Sequence, residues 1–336
     1  MDYCPPNLSI IIACSRPKVV VSCLTALECQ KTNNFEVIIV GDINGLSSKQ
    51  FQLNLTLIPC NETHTNVRRN IGIKHAKAEL IGFLDDDTIP EINWVEIAIK
   101  NNLSFDKILL GPEKPVISSF RTTLIYAVCL NYFSEGTRVH VNYKHEKVSW
   151  IEVPFCNCII PRKLFEIIGL LSVEVPWDMD DSEFCFRARN NIVFENLPAL
   201  AVRHDRYPDS IYSFLKYRWN WRVRTGEKII EYPYMFSRFL PINILVFTPW
   251  ACLFTAYIFP AIFVRFIEIS LLFYAVFLIF QIKEAIKFKG IRCVFSYLCL
   301  MVALQSITIF GVQLGVVRAL FGRIKKFVSH KLAYLK

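Results

Sequence analysis

Short apolar runs alternate with polar stretches over roughly the first 230 residues of the chain. Four of the runs are rich in β-branched residues and predict strands buried on both faces, at residues 8–13, 35–40, 53–58 and 80–84. Helices are predicted between them at 18–30 and 66–77, and Pro17 can open the first because proline is tolerated in a first turn. This β-α-β-α-β order predicts an α/β fold with a mostly parallel sheet and helices on both faces.

The pattern is less regular after residue 90. Strands are predicted at 107–110, 148–153, 157–160 and 199–203, and helices after Pro90 and at 162–168 and about 180–189. Residues 207–224 predict an amphipathic helix whose aromatic stripe is flanked by arginine and lysine, a composition suited to the membrane–water boundary. An ordinary surface helix is the alternative interpretation of that segment.

Beyond residue 238 the apolar runs lengthen and carry few charges. Runs 239–264 and 266–282, separated by Arg265, are long enough for a hairpin of two membrane-spanning helices. A third run, 293–317, is interrupted by polar residues and glycines. The basic segments on both sides of it favour the cytosol, which conflicts with a third full crossing. Either the third run is re-entrant, or one of the first two lies along the interface.

These patterns predict four regions. They are a catalytic domain at 1–205, an interfacial helix and linker at 206–237, a transmembrane region of two to three helices at 238–318, and a basic cytosolic tail at 319–336. The first residues, MDYCPPNLSIIIA, lack the basic start and apolar length of a signal peptide. We therefore expect a multi-pass protein of the cell membrane with its catalytic domain in the cytosol.

Composition adds two constraints. The net charge is +9, and the basic residues cluster beside the apolar runs, which favours membrane lipids over nucleic acid as the partner. The twelve cysteines show no zinc-site spacing, because the one close pair, Cys156 and Cys158, is CxC rather than CxxC. Reduced thiols in a cytosolic compartment are the expected state.

Candidate chemistry begins with three aspartates, Asp85, Asp86 and Asp87, in IGFLDDDTIP. They follow a predicted strand, and ligands of parallel α/β sheets bind beyond the carboxyl ends of the strands. Residues i and i+2 of an extended chain point the same way, so Asp85 and Asp87 can converge on one ion. Two carboxylates suit Mg²⁺ or Mn²⁺. A solvated acidic loop is the alternative.

Four segments in order, SIIIACSRP, EVIIVGDING, NVRRNIGIKHAKAELIGFLDDD and WDMDDSEFCFRAR, resemble those of glycosyltransferase family 2. The resemblance covers about residues 8–230. It implies a Rossmann-like GT-A fold, a nucleotide-diphospho-sugar donor, and inversion at the sugar carbon by a single displacement.

The resemblance also assigns donor-binding residues. Asp42 matches an acidic residue near the base and ribose of the donor. Gly41 stands where the family usually has a second acid, so the identity of the nucleotide is left open. Asp85 and Asp87 match the DxD positions that hold the metal ion. Ser15 replaces the usual asparagine, and Arg69 either braces its loop or touches phosphate.

A second acidic cluster comprises Asp178, Asp180, Asp181 and Glu183. An attacking hydroxyl must lose its proton, and a carboxylate at a helix start stays ionised for that task. The family uses an aspartate here as base, so Asp181, next to Asp180, is the predicted base; helix capping alone is the alternative.

Three further residues complete the predicted site. His204 is a candidate third metal ligand, since a histidine in this region can complete the metal site of related enzymes; a structural histidine is the alternative. Arg218 and Trp219 lie where processive relatives carry QxxRW, of which only RW is present. They are predicted to contact the diphosphate or the acceptor, with interface packing as the alternative.

The leading functional hypothesis is an inverting glycosyltransferase that transfers a sugar to a lipid-linked or polysaccharide acceptor at the cytosolic membrane face. One rival is a polyprenyl-phosphate sugar synthase, whose phosphate acceptor needs little help from a base. A rival from another class is an inactive, transferase-like membrane scaffold. A processive polysaccharide synthase is disfavoured by the small membrane region and the incomplete QxxRW.

Overall fold

The computed structural model describes residues 5–115, 119–129, 146–148, 153–175, 180–204, 210–232, 279 and 294–334. The chain divides into two compact units. The first comprises Met1–Val116 and Thr137–Arg206, and the second comprises Ile117–Gly136 and Tyr207–Lys336.

The first unit is an α/β domain. Its strands are β1 (Leu8–Cys14), β2 (Phe35–Gly41), β3 (Leu55–Pro59), β4 (Leu80–Asp85), β5 (Thr88–Pro90), β6 (Lys107–Leu110), β7 (Glu113–Pro115), β8 (Glu146–Lys147), β9 (Asn157–Pro161), β10 (Val193–Asn196) and β11 (Val202–His204). Its helices are α1 (Pro17–Glu28), α2 (Thr65–His75), α3 (Trp94–Lys100), α5 (Arg162–Ile168) and α6 (Asp180–Ala188), and a short 3-10 turn spans Ser48–Gln50.

The main sheet has the strand order β3-β2-β1-β4-β9-β6-β10-β8. Strands β1 to β4 are parallel to one another, β6 is parallel to β10, and β9 runs antiparallel to both β4 and β6. A second, three-stranded sheet has the order β5-β11-β7. The predicted α/β fold with a mostly parallel sheet is confirmed.

The continuous apolar runs form the centre of the main sheet because both of its faces are covered. Ile10 and Ile12 belong to a buried cluster with Trp94, whereas Ile11, between them, belongs to another with Phe83. Successive side chains of a strand point to opposite faces, so an unbroken apolar run is what two covered faces require.

Strand register aligns the carboxyl ends of three strands at one edge. Ala13 of β1 lies opposite Asp85 of β4, and Cys14 of β1 lies opposite Gly41 of β2. The first acid of the DDD run therefore lies beside the β1–α1 loop, and the residue after Gly41 lies at the same edge.

The second unit is helical, with α4 (Phe120–Cys129), α7 (Ile211–Glu231) and α8 (Val294–Tyr334). Helices α7 and α8 approach closely at glycines. A Cβ added at Gly315 would lie 1.9 Å from the carbonyl oxygen of Val223, and one added at Gly226 would lie 2.0 Å from that of Val312. Around them, a buried cluster joins the three helices and includes Leu124, Ile125, Val128, Phe214, Tyr297, Leu300 and Leu304.

The long elements match the predictions, and several short ones differ. Strands β5, β7 and β10 and helix α4 were not predicted. The strand predicted at 148–153 falls mainly on residues outside the described ranges, and β8 ends just before it. The helix predicted at 207–224 is α7, which begins at Ile211 and extends to Glu231.

The predicted membrane region has a different outcome. Among the helices that the structure describes, none combines the length and the apolar content needed to cross a bilayer. The runs 239–264 and 266–282 lie outside the described residues apart from residue 279, so the hairpin stays a prediction. The third run, 293–317, falls in α8, and its predicted entry into the membrane is not supported.

Candidate active site

The three aspartates at the end of β4 have three different sets of partners. Asp85 accepts a hydrogen bond from Nη2 of Arg69 at 3.1 Å. Asp86 is buried, and its Oδ2 accepts from the backbone N–H groups of Ser15 at 2.8 Å and Arg16 at 2.9 Å. Asp87 lies 2.9 Å from the Arg16 guanidinium. The DDD run is therefore held by cations and amides from other elements, which explains how three adjacent carboxylates can be accommodated.

Asp86 has a structural position that the sequence did not reveal. Its Oδ1 also pairs with the guanidinium of Arg16, the residue that precedes helix α1. Arg16 makes no side-chain cap of its own, so the carboxylate of Asp86 satisfies N–H groups at the helix entrance instead. Asp86 thus fixes the β1–α1 loop, while Asp85 and Asp87 remain at the sheet edge.

His204 reaches the acids through the small sheet. It lies opposite Thr88 in the β11–β5 pairing, and its Nε2 is 3.0 Å from Oδ1 of Asp87. Its Nδ1 is 2.7 Å from Oε2 of Glu113 on β7. Cys156 donates its S–H to the other oxygen of Glu113 at 3.0 Å. The result is a buried chain of side chains running from Asp87 through His204 and Glu113 to Cys156.

The protonation states of these hydrogen-bonded side chains follow from their geometry. Both ring nitrogens of His204 face carboxylates, so both carry protons in the metal-free site. Burial lowers the pKa of His204, but the hydrogen bonds with Asp87 and Glu113 outweigh it and raise the pKa to about 10. Burial raises the pKa of Asp87, yet the hydrogen bond from His204 and the Arg16 guanidinium bring it below its usual range. Burial dominates at Asp85, whose pKa is raised although Arg69 opposes the shift.

Among the residues that the structure describes, two overlapping groups of side chains have metal-binding geometry. Ligand atoms of Asp85, Asp87 and His204 lie within 4.8 Å of one another, and so do those of Glu113, Cys156 and His204. The first group offers two carboxylate oxygens and one imidazole nitrogen, a donor set that suits Mn²⁺ or Mg²⁺. Nε2 of His204 faces this group, and Nδ1 donates to Glu113, as a histidine ligand does to a carboxylate behind it. The residues present therefore fit a divalent ion, and binding at Nε2 requires the loss of its proton.

Arg69 braces the site. It is buried, and its guanidinium lies over the rings of Phe83 at 5.7 Å and Phe155 at 5.3 Å while bonding Asp85. Of the two interpretations open from the sequence, the contacts with Asp85 and the rings favour bracing.

Helix α2 also holds the loop that leads to the second acidic cluster. The side chain of Asn70 donates to the carbonyl of Leu171 at 2.8 Å and accepts from its N–H at 3.1 Å. Asn66 donates to the carbonyl of Ser172 at 2.7 Å, and a ring nitrogen of His64 is 2.9 Å from the carbonyl oxygen of Val175. One helix thus fixes both Asp85, through Arg69, and the chain entering α6.

The second cluster lies at the start of helix α6, which begins at Asp180. Oδ1 of Asp181 accepts from the backbone N–H of Ser182 at 2.6 Å and from its hydroxyl at 2.9 Å. Glu183 pairs instead with Arg187 at 2.6 Å, and Asp178 lies outside the described residues.

The aromatic core connects the two acidic clusters. The ring of Phe184 on α6 packs against Phe155 with centroids 5.8 Å apart, and Phe155 also lies beneath the guanidinium of Arg69. Phe155 therefore contacts both the arginine that bonds Asp85 and the helix that carries the second acidic cluster.

The remaining predicted residues divide between the two units. Ser15 lies at the end of β1, and Asp42 at the end of β2 accepts the N–H of Asn44 at 3.1 Å, so both stand at the carboxyl edge of the sheet. Arg218 and Trp219 lie on α7 in the second unit, where the Arg218 guanidinium lies over the ring of Trp221 at 4.9 Å. Their predicted donor contacts stay predictions.

Sequence reasoning missed Arg16, Glu113 and Cys156. Arg16 belongs to the segment SIIIACSRP, and the one indication of its role in the sequence was its positive charge beside a loop of the candidate site. Glu113 and Cys156 carried no signal, because they meet His204 only through the pairing of β7 with β11 and the start of β9.

Part of the chain matches a known protein family. Residues 9–124 match the family described as Glycosyl transferase family 2. The match runs from β1 through β7 to the first residues of α4 and includes Asp85 and Asp87, while Asp181 and His204 lie beyond it. No curated protein matches the sequence of the chain.

One solved structure shares the fold over most of its length. The mannosyltransferase PcManGT from Pyrobaculum calidifontis, in complex with GDP-Man and Mn²⁺, is 14% identical and aligns over 96% of this chain and 90% of its own, with a TM-score of 0.56. TarS from S. aureus is 17% identical, with a TM-score of 0.44 over 63% of this chain. The alignment spans only 38% of the TarS chain. At these identities the likeness concerns the fold, and the expected GT-A-like architecture is confirmed.

Proposed function

We propose that the protein is a metal-dependent, inverting glycosyltransferase that uses a nucleotide-diphospho-sugar donor. The observation that carries the proposal is the convergence of Asp85, Asp87 and His204 at the carboxyl edge of a sheet. The first two lie within the segment that matches glycosyl transferase family 2. The description of PcManGT as a mannosyltransferase in complex with GDP-Man and Mn²⁺ supports the donor class and the metal.

Asp85, Asp87 and His204 would hold Mn²⁺ or Mg²⁺. Such an ion supplies positive charge that neutralises a diphosphate as it departs. Glu113 keeps the imidazole oriented through Nδ1, and Arg69 keeps the carboxylate of Asp85 at the edge of the sheet. Ser15 and Asp42 would contact the nucleotide, since both stand beyond the ends of β1 and β2.

Asp181 would act as the base. A single displacement needs a carboxylate to accept the proton of the attacking hydroxyl, on the face opposite the leaving group. Ser182 fixes one oxygen of Asp181 with two hydrogen bonds, which limits the rotation of the carboxylate. Asp180 shares the helix start, where the N–H groups favour ionised side chains.

The proposed acceptor is lipid-linked or a glycan at the cytosolic face of the cell membrane. It rests on the apolar runs 239–264 and 266–282, which a soluble acceptor would not require. Arg218 and Trp219 are proposed to contact this acceptor.

The test uses the full chain in detergent with Mn²⁺ and a panel of nucleotide sugars, and it measures release of the nucleoside diphosphate. We expect release from one or a few donors, loss of release with a chelator, and a loss of at least about tenfold in Asp87→Asn. Asp106→Asn is the matched control, because Asp106 is exposed and bonds only to Ser104 among described side chains. Undiminished release under chelation would contradict metal dependence, and no release from any donor would favour the scaffold hypothesis.

A second experiment tests the base. Asp181→Asn should retain donor binding but lose transfer to a hydroxyl acceptor by about 100-fold or more. Transfer at the rate of the unaltered protein would remove Asp181 from the mechanism and favour the polyprenyl-phosphate sugar synthase. Glu183→Gln is the control, because its carboxylate is committed to Arg187.

A further inference from the structure

Strand β2 ends on a residue that has no room for a side chain. Gly41 has φ +137, and a Cβ added there would lie 2.1 Å from the carbonyl oxygen of Cys14 on β1. Real Cβ atoms do not approach an oxygen so closely, and this backbone conformation also favours glycine. An acidic side chain at position 41, where the family that the sequence resembles usually has one, is therefore excluded on steric grounds.

Arg68 of helix α2 occupies the space beneath Gly41. Its Cδ would lie 3.2 Å from the added Cβ, and the residue is only 7% exposed. Its Nη1 donates to the carbonyl of Cys14 at 2.8 Å and to Oγ of Ser15 at 2.6 Å, and its Nε donates to the carbonyl of Glu62 at 2.6 Å. Next to Gly41, the position at which the family usually has an acid, the fold therefore places the side chain of an arginine.

The charge of Arg68 is not neutralised by these contacts, because all three acceptors are neutral. Within the ranges that the structure describes, Arg68 forms no ion pair, and its Nη2 donates no hydrogen bond. Buried guanidinium groups are ordinarily paired with an anion or fully hydrogen-bonded, since desolvation of an uncompensated charge is costly. The arrangement leaves a donor for a ligand.

The location identifies which part of a ligand this donor would meet. Arg68 lies at the junction of β1 and β2. Asp85 and Asp87 lie at the end of β4, which is on the other side of β1. The metal-binding acids would hold the diphosphate. The β1–β2 junction, which also carries Asp42, is then left for the nucleoside.

We propose that Arg68 is a specificity-determining residue that selects donors whose base presents a keto oxygen. A guanidinium donates to keto oxygens such as O6 of guanine, whereas a carboxylate accepts from amino groups such as N4 of cytosine. The presence of Arg68, rather than an acid, at the β1–β2 junction therefore favours uracil or guanine over cytosine or adenine. This inference rests on the proposed function, since it needs a nucleotide donor.

The test compares UDP with CDP, and GDP with ADP, because the first member of each pair presents a keto oxygen where the second presents an amino group. Binding to the full chain with Mn²⁺ is measured by calorimetry for the unaltered protein, Arg68→Met and Arg68→Lys. We expect the unaltered protein to bind the keto member of at least one pair about tenfold more tightly, and Arg68→Met to reduce that ratio below about threefold. Arg68→Lys keeps the charge but loses the planar fork, so it should give an intermediate ratio.

Arg162→Met is the matched control. Arg162 also donates to a main-chain carbonyl, that of Ala76 at 2.6 Å, but it follows β9 at the opposite end of β4. Arg162→Met should leave the ratio of keto to amino affinity unchanged. A purely structural role for Arg68 would lower the melting temperature without changing the ratio.

Three outcomes would overturn the inference. The first is an unchanged ratio of keto to amino affinity in both Arg68 variants, and the second is an equal loss of affinity for all four nucleotides, which would indicate a phosphate contact. The third is a preference of the unaltered protein for the nucleotides with amino bases. If the unaltered protein binds none of the four nucleotides, the proposed function fails first, and the inference fails with it.

Discussion

The protonated state of His204 should make the metal-free protein less stable as the pH rises above neutrality. Its pKa in the folded protein is about 10, against an ordinary value of 6.5. A group whose pKa is raised by folding contributes stability that is complete below the ordinary pKa and is lost as the pH rises through the folded pKa. The perturbation is therefore a rise in pH from 7.0 to 8.5 in the presence of a chelator.

The magnitude follows from the number of protons involved. Between the two pKa values the folded protein binds one more proton than the unfolded chain, which corresponds to about 1.4 kcal/mol per pH unit. Over the chosen interval the free energy of unfolding should fall by about 2 kcal/mol. The interval stops below pH 9 because the buried thiol of Cys14, whose pKa burial raises to about 11, adds a loss of the same sign above it.

Urea unfolding followed by circular dichroism at the two pH values provides the measurement, with His204→Asn as the comparison. The variant lacks the titrating ring, so its stability should change by less than about 0.5 kcal/mol over the interval. An equal decline in both proteins, or a rise in the stability of the unaltered protein, would refute the assignment of a proton to both nitrogens of His204.

Two further predictions concern the stability effects of residues that are not proposed as metal ligands. Asp86→Ala removes a charged acceptor from two part-buried hydrogen bonds, those donated by the backbone N–H groups of Ser15 and Arg16. It should lower the free energy of unfolding by about 2–4 kcal/mol, and a loss below about 0.5 kcal/mol would contradict the structural role of Asp86. Gly315→Ala places a Cβ 1.9 Å from a carbonyl oxygen of α7 and should cost about 1–3 kcal/mol in thermal or urea unfolding. Gly322→Ala on the same helix meets nothing within 4 Å and should be neutral or slightly stabilising, so equal effects of the two alanines would contradict the observed packing of α7 on α8.

The long central strands could be predicted because their signal is local. An unbroken apolar run such as that of β2 needs no knowledge of its neighbours, since both of its faces must be covered. The short strands β5 and β7 have three residues each and contain proline, and they are strands only because β11 lies between them. Local patterns carry no such information, so they could not be predicted.

The candidate site shows the same division. The alternation of side chains along a strand was enough to separate Asp85 and Asp87 from Asp86. The partner of Asp86 is a loop about seventy residues away in the chain, so its structural role depends on the β1–β4 register. The contact between His204 and Glu113 likewise depends on the pairing of β7 with β11. Gly41, interpreted from the sequence as a missing acid, is explained by the close approach of Cys14, which only the structure shows.

The central claim is that Asp85, Asp87 and His204 together hold one divalent ion. Mn²⁺ binding by the full chain, followed by the loss of the free-ion signal in electron paramagnetic resonance, tests it most directly. The account predicts one site in the unaltered protein, weakening by about tenfold or more in Asp87→Asn and in His204→Asn, and unchanged affinity in Asp106→Asn. Equal affinity in all four proteins would contradict it.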